Sequence, residues 1–223
     1  MTTETAETVR RLTEGGSETA EPRIEMVPNA VSLGPVTSAA ADSKHIVMAG
    51  VLGQRKGVDV LLEAWKFLTD DNDGWTLQLV GPRSDDIREW PKLSGVEYIG
   101  PEDHGDLLSR LENAEIAVLV ARDEALPMFI LEAMAHGCCV VSTPVGQIPD
   151  VVSESTGALV PVGDAHATAK ALRQLIENPH ERRQKSVNAR LLIESKYSEQ
   201  SAKPVLENAW WKLADEGRVR DAS

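Results

Sequence analysis

HIVMAGVLGQRKGVDVLLEAW, residues 45–65, changes its hydrophobic period in mid-run. Residues 45–50 are apolar without polar alternation, as in a strand buried on both faces. From Val58 onward, Val58, Leu61, Leu62, Trp65 and Leu68 recur at the i, i+3, i+4 spacing of an amphipathic helix. Between the two lies Gly50-Val51-Leu52-Gly53-Gln54-Arg55-Lys56-Gly57. The run is therefore strand, glycine-rich loop, helix.

Outward from it the pattern repeats. WTLQLVG (75–81), VEYIG (96–100), EIAVLVA (115–121), CCVVST (138–143) and GALVP (157–161) are further candidate buried strands. Leu107, Leu108 and Leu111, and then Met128, Leu131, Met134 and Ala135, have helical spacing. Such alternation predicts an α/β fold: a single Rossmann-like, doubly wound parallel sheet with right-handed crossovers. Ligands of such sheets bind at the carboxyl ends of the strands, so the loops after Gly50, Gly81, Gly100 and Ala121 are the places to look. After Pro161 only helices are expected, over 164–177, about 180–196 and 198–216, with Asn178-Pro179 as a break and Ser198 as an N-cap.

Composition narrows the function. The 223 residues carry 35 acidic and 23 basic side chains, a formal charge of −12 that would repel nucleic acid. The two cysteines, Cys138 and Cys139, are adjacent and close no loop, which fits a reducing cytoplasm and an inert place at the start of a strand. The polar N-terminus predicts no signal peptide. No apolar run approaches the roughly 20 residues of a transmembrane helix. The expected location is cytoplasmic, free or peripheral at the inner membrane face.

Two segments carry chemistry. In the loop 50–57, glycines permit close backbone approach, the following helix offers N–H groups, and Lys56 adds a charge. The spacing is not that of a Walker A loop, and glycines after a parallel strand are also commonplace, so phosphate binding and a plain turn both remain open. The second segment is Glu124-Ala-Leu-Pro-Met-Phe-Ile-Leu-Glu132, two carboxylates separated by seven residues. Pro127 suits a first helical turn, placing Glu124 in the preceding loop and Glu132 on the second turn. By spacing alone, Glu124 could be only a partner of the helix dipole.

GVLGQRKGVDVLLEAW, LQLVGP, VEYIG and EALPMFILEAMAHGCCVVSTPVGQIPDVV, in this order, resemble the family-four retaining glycosyltransferases of GT-B fold over roughly residues 23 to 200. IEMVPNAV resembles that family's interdomain linker. The resemblance implies a C-terminal, donor-binding domain that takes a nucleotide-diphosphate sugar. Lys56 matches the lysine that contacts the diphosphate, with Gly53 and Arg55 in the same loop. Glu132 matches the glutamate that bonds the ribose hydroxyls, and Glu124 the one beside the transferred sugar. Backbone amides at Met128 and Phe129 would face the phosphates, and Gly81 and Ile99 lie on loops that line the base. No resident cofactor and no metal are implied. The sequence departs from the pattern at Val51, where the family has arginine, and at Ala125, Gln147 and Asp150.

The same resemblance divides the chain into 1–22, a loosely ordered segment or the remnant of an N-terminal domain's last helix; 23–200, the nucleotide-sugar domain; and 201–223, a C-terminal helix and tail. The implied function is retaining transfer of a sugar to a glycan or lipid-linked acceptor. The alternatives are a non-catalytic nucleotide-sugar-binding or partner-binding half of a split or truncated enzyme, and, with less support from the E-x7-E block, a GT-B sugar-nucleotide epimerase. Implied partners are a separate N-terminal GT-B domain or a second copy, with Trp210 or Trp211 exposed at the junction. The five histidines, at 45, 104, 136, 166 and 180, have no ligand spacing, and Arg182, Arg183, Lys185 and Arg190 are expected on a solvated helix face.

Overall fold

The computed structural model describes residues 27–35, 43–68, 74–87 and 90–220. The segment 1–22, including the expected helix remnant, lies outside them.

Six parallel strands form one sheet: β1 (His45–Ala49), β2 (Thr76–Val80), β3 (Val96–Gly100), β4 (Ile116–Leu119), β5 (Cys139–Ser142) and β6 (Gly157–Leu159), in the order β3-β2-β1-β4-β5-β6. Each falls within its expected run. The apolar strands are central and bury both faces: Ile46, Val47 and Met48 of β1 and all four residues of β4 are inaccessible or nearly so. β3, which carries Glu97, lies at the edge and is only partly buried.

The helices are α1 (Val58–Lys66), α2 (His104–Glu112), α3 (Met128–Ala135), α4 (Ala165–Glu177), α5 (Pro179–Lys196) and α6 (Glu199–Arg220). α1 packs beside α4, while α3 lies against α2 and α5, giving the two helical layers of a doubly wound sheet. α1 starts after Gly57, whose φ of 76° is left-handed and whose added Cβ would stand 1.9 Å from the Val120 carbonyl oxygen. Glycine there lets the loop after β1 lie directly on the exit of β4. Asp103 and Asp164 cap α2 and α4 by accepting from the N–H groups of Asp106 and Ala167. Ser198 caps α6 through the Ser201 N–H at 3.1 Å.

Beyond the sheet, Val31 forms an isolated parallel bridge with Ser198, and Arg190 Nη2 donates to the Gly34 carbonyl at 2.7 Å. Of the expected basic face of α5, Arg183 is exposed as expected, whereas Arg182, Lys185 and Arg190 are turned to internal partners. Arg182 is buried, pairs with Glu115 and lies 5.0 Å from the centroid of the Trp75 ring. Arg190 also donates to the Ala135 carbonyl, and Lys185 to the Gly157 carbonyl at 3.0 Å. These long side chains reach over the rim of the sheet to satisfy buried acceptors, which periodicity alone does not report. Trp210 and Trp211, by contrast, are 67% and 61% exposed on α6, as expected. No described helix is long and apolar enough to cross a membrane.

Candidate functional site

The sheet changes winding direction between β1 and β4, because β2 and β3 follow on one side of β1 and β4 to β6 on the other. The crevice expected at such a switch opens between the loops leaving these two strands. Here those loops are stitched together. The Arg122 N–H donates to the Arg55 carbonyl at 2.8 Å, and the Arg122 guanidinium grips both carboxylate oxygens of Asp59 at 2.8 and 2.7 Å while also reaching the Gln54 carbonyl. The paired carboxylate holds the Arg122 guanidinium even more firmly protonated than usual. Neither Arg122 nor Asp59 is signalled by any local spacing. They are 63 positions apart and meet only because their strands are neighbours.

On this scaffold Lys56 and Glu124 meet. The Lys56 ammonium forms an ion pair with Glu124 Oε1, and Arg55 Nη1 donates to the same oxygen at 2.9 Å and to the Asp123 carbonyl at 3.1 Å. Lys56 is mostly covered and Arg55 half exposed. Two cations on one oxygen mean that an anion placed here would find positive charge gathered from a single loop. The Glu124 loop is supported from below by Gly146, where an added Cβ would fall 2.1 Å from the Glu124 carbonyl oxygen, and by the Gln147 N–H on the Ala125 carbonyl at 2.7 Å.

The other wall is α3. Pro127, expected inside the first turn, occupies the N-cap in an extended conformation, and no side chain caps the helix. Met128 and Phe129 are thus the first residues of a helix whose amino end opens beside Glu124. Glu132, one turn further on, is buried, and its Oε1 accepts from His104 Nε2 at 2.9 Å. His104 begins α2, and the sequence assigned it no role.

The remaining expected residues separate. The Gly53 N–Cα–C framework leaves no room for a side chain, since an added Cβ would meet Asp86 Oδ1 and Ser84 Cβ at 2.8 Å. Gly81 has φ 126°, and an added Cβ would come 2.0 Å from the Gly50 carbonyl oxygen. It also donates its N–H to the Gly100 carbonyl at 2.8 Å, so Gly50, Gly81 and Gly100 form one flat strand-end lip. Ile99 is not on a loop: it is the fourth residue of β3 and partly buried. Val51 is half exposed and apolar. Beyond the lip, Arg83 lies 4.3 Å from the Tyr98 ring centroid and 4.8 Å from that of Trp90. Among the described residues there is no group of three or more His, Cys, Asp or Glu side chains able to hold a metal ion.

Comparison with known proteins bears on the family and the fold. The chain is 30% identical to an exopolysaccharide phosphotransferase of Streptomyces coelicolor over 70% of its length and 17% of the relative's. It is 27% identical to a glycogen synthase of Mycobacterium tuberculosis over 70% of its length and 40% of the relative's. It therefore spans less than half of either relative. Among solved structures, a sucrose-phosphate synthase of Thermosynechococcus elongatus superposes with a TM-score of 0.79 at 23% identity, covering 96% of this chain and 57% of that one. The Anabaena protein HepE, solved with UDP and glucose, superposes with a TM-score of 0.66 at 18% identity, covering 78% and 49%. At these identities the two structures establish the GT-B Rossmann-like fold alone. The family model described as glycosyl transferases group 1 matches residues 43–178, and with the fold and the loop architecture above, the chain belongs to that glycosyltransferase family.

Proposed function

We propose that this chain is the donor-binding domain of a retaining glycosyltransferase that takes a nucleotide-diphosphate sugar. The observation that carries the reading is the meeting of Lys56, Arg55 and Glu124 at the switch between β1 and β4, with Glu132 on the second turn of the helix that follows the Glu124 loop. The diphosphate would lie at Lys56 and Arg55 against the amino end of α3 at Met128 and Phe129. The ribose hydroxyls would donate to Glu132, and the base would lie toward the Gly81 lip and Ile99. Glu124 is the residue beside the transferred sugar and the candidate for a catalytic role. Departure of a nucleoside diphosphate builds negative charge, and fixed cations with helix N–H groups stabilise that charge without reorganising. HepE's complex with UDP is in keeping with a donor of this class.

Nucleoside diphosphate binding is the direct test. At a ligand concentration about 100 times the Kd, stabilisation is expected to reach roughly 2.7 kcal/mol, seen as a raised Tm with one of UDP, GDP or ADP. No shift with any of the three at millimolar concentration would overturn the reading.

A second reading rests on the exposed Trp210 and Trp211 of α6. In it, 1–223 binds the donor and transfers sugar to a glycan or lipid-linked acceptor only with a separate N-terminal GT-B domain. Holding donor and acceptor together between two domains supplies orientation worth up to about 7–11 kcal/mol of a barrier. Trp210 and Trp211 offer apolar surface for such docking or for self-association. Turnover by 1–223 alone, with a monomeric light-scattering mass, would overturn this second reading and leave the first standing.

A further inference from the structure

Glu132 is the buried carboxylate of the site. Its side chain is 12% exposed, and the hydrogen-bond partner of that carboxylate among the described residues is His104 Nε2, on Oε1. The imidazole is 68% exposed, so it packs little while making this one directional bond. A carboxylate only accepts, so Nε2 carries the hydrogen, and Oε2 is left to accept from another donor.

Two elements meet in this bond. α3 carries Glu132 on its second turn, and α2 delivers His104 as its first residue, held there by the Asp103 side chain accepting from the Asp106 N–H. Helix α2 therefore brings its imidazole to the one bond that orients the Glu132 carboxyl plane. Without it, a mostly buried carboxylate would lose its donor, and rotated forms would gain population. A rotated carboxylate is a poorer acceptor for a hydroxyl held in one place.

We propose that His104 is a positioning residue for recognition of the ribose diol, acting through Glu132. This rests on the donor-domain reading given above. It is not a catalytic residue, since its effect runs through the carboxylate. The inference differs from a merely structural role in what it moves: discrimination between a ribose and a sugar lacking its hydroxyls, rather than affinity for nucleotides in general.

The experiment compares wild type, His104→Ala and His104→Gln by titration calorimetry. The probes are UDP, GDP and ADP, and the 2′,3′-dideoxy analogue of whichever binds. Wild type is expected to prefer the ribonucleotide by tenfold or more. His104→Ala should reduce that ratio at least fivefold, with affinity for the dideoxy analogue and Tm both unchanged. His104→Gln, which keeps an N–H donor, should recover most of the ratio. An undiminished ratio in His104→Ala would overturn this inference alone. Failure of wild type to bind any of the three diphosphates would overturn the donor reading and this inference together.

Discussion

Lys56 gives its ammonium to Glu124, a residue brought beside it only because β1 and β4 are neighbours in the sheet. The pair has a direct consequence for binding. On the proposed placement, a diphosphate would compete with this carboxylate for the same cation, and the carboxylate would limit affinity for free nucleotide. Glu124→Gln should therefore leave nucleoside diphosphate affinity intact or increase it, while sugar transfer by the complete enzyme falls. Glu132→Gln should instead cost about tenfold or more in affinity, because charge-assisted hydrogen bonds contribute roughly 1.5–3 kcal/mol. Calorimetry on the two variants checks the division of roles. Equal losses of free-nucleotide affinity would contradict it.

Lys56→Met should weaken the nucleoside diphosphate and spare the corresponding nucleoside. In the proposed site the ammonium would act on phosphate charge, so the loss should shrink as salt rises from low to high ionic strength. A loss shared equally by the uncharged nucleoside would show that the lysine holds the loop rather than the ligand. Arg55→Met should act in the same direction and less strongly, since its guanidinium stands further into solvent.

The pair of Glu115 and Arg182 predicts stability rather than binding. Both are buried, and Arg182 also reaches the Leu175 carbonyl and the Trp75 ring. Glu115→Gln leaves a buried guanidinium uncompensated and should cost about 3–5 kcal/mol in urea unfolding. Replacing both, as Glu115→Leu with Arg182→Met, should be much milder, because the desolvation of two ions is no longer required. A double variant as unstable as the single one would contradict the account.

Alkaline pH offers a further test. Burial pushes the Cys139 thiol up to about 12 and the Cys138 thiol higher still, and burial also raises Tyr98 and Tyr197. Above the ordinary thiol value near 9, an unfolded chain releases protons that the native chain keeps, so stability falls as pH rises through this window. Neither cysteine should react with iodoacetamide in the native protein at pH 8, and Cys138→Ala should flatten the alkaline decline. Rapid native labelling at that pH would overturn the prediction.

The strands and helices were legible because an all-apolar strand and an i, i+4 helix stripe are local properties of the chain. Every strand lies inside its expected run, and the spaced residues Met128, Leu131, Met134 and Ala135 all lie on α3. The lip glycines were also legible, since only backbone tolerates the approach between Gly81 and Gly50. What escaped were side chains whose partners come from distant elements. Arg182 and Arg190 look like surface charge on a helix wheel and are instead anchored to Glu115 and to the Ala135 and Gly34 carbonyls. His104 and Arg122 belong to the same class. Their meaning depends on which strands become neighbours, and that is decided by packing rather than by spacing.

The strand order has a consequence for how the protein comes into being. Synthesis delivers β1, β2 and β3 first, and these can pair among themselves while the other edge of β1 waits for β4. Until Ile116 and Ala117 arrive beside Ile46 and Val47, that edge is open to wrong partners. Lys56 belongs to the early half and Glu124 to the late half, so their junction cannot close until β4 has paired with β1. A ligand lying across it would bind only a chain in which that seam has closed, and would thereby draw folding toward the native form.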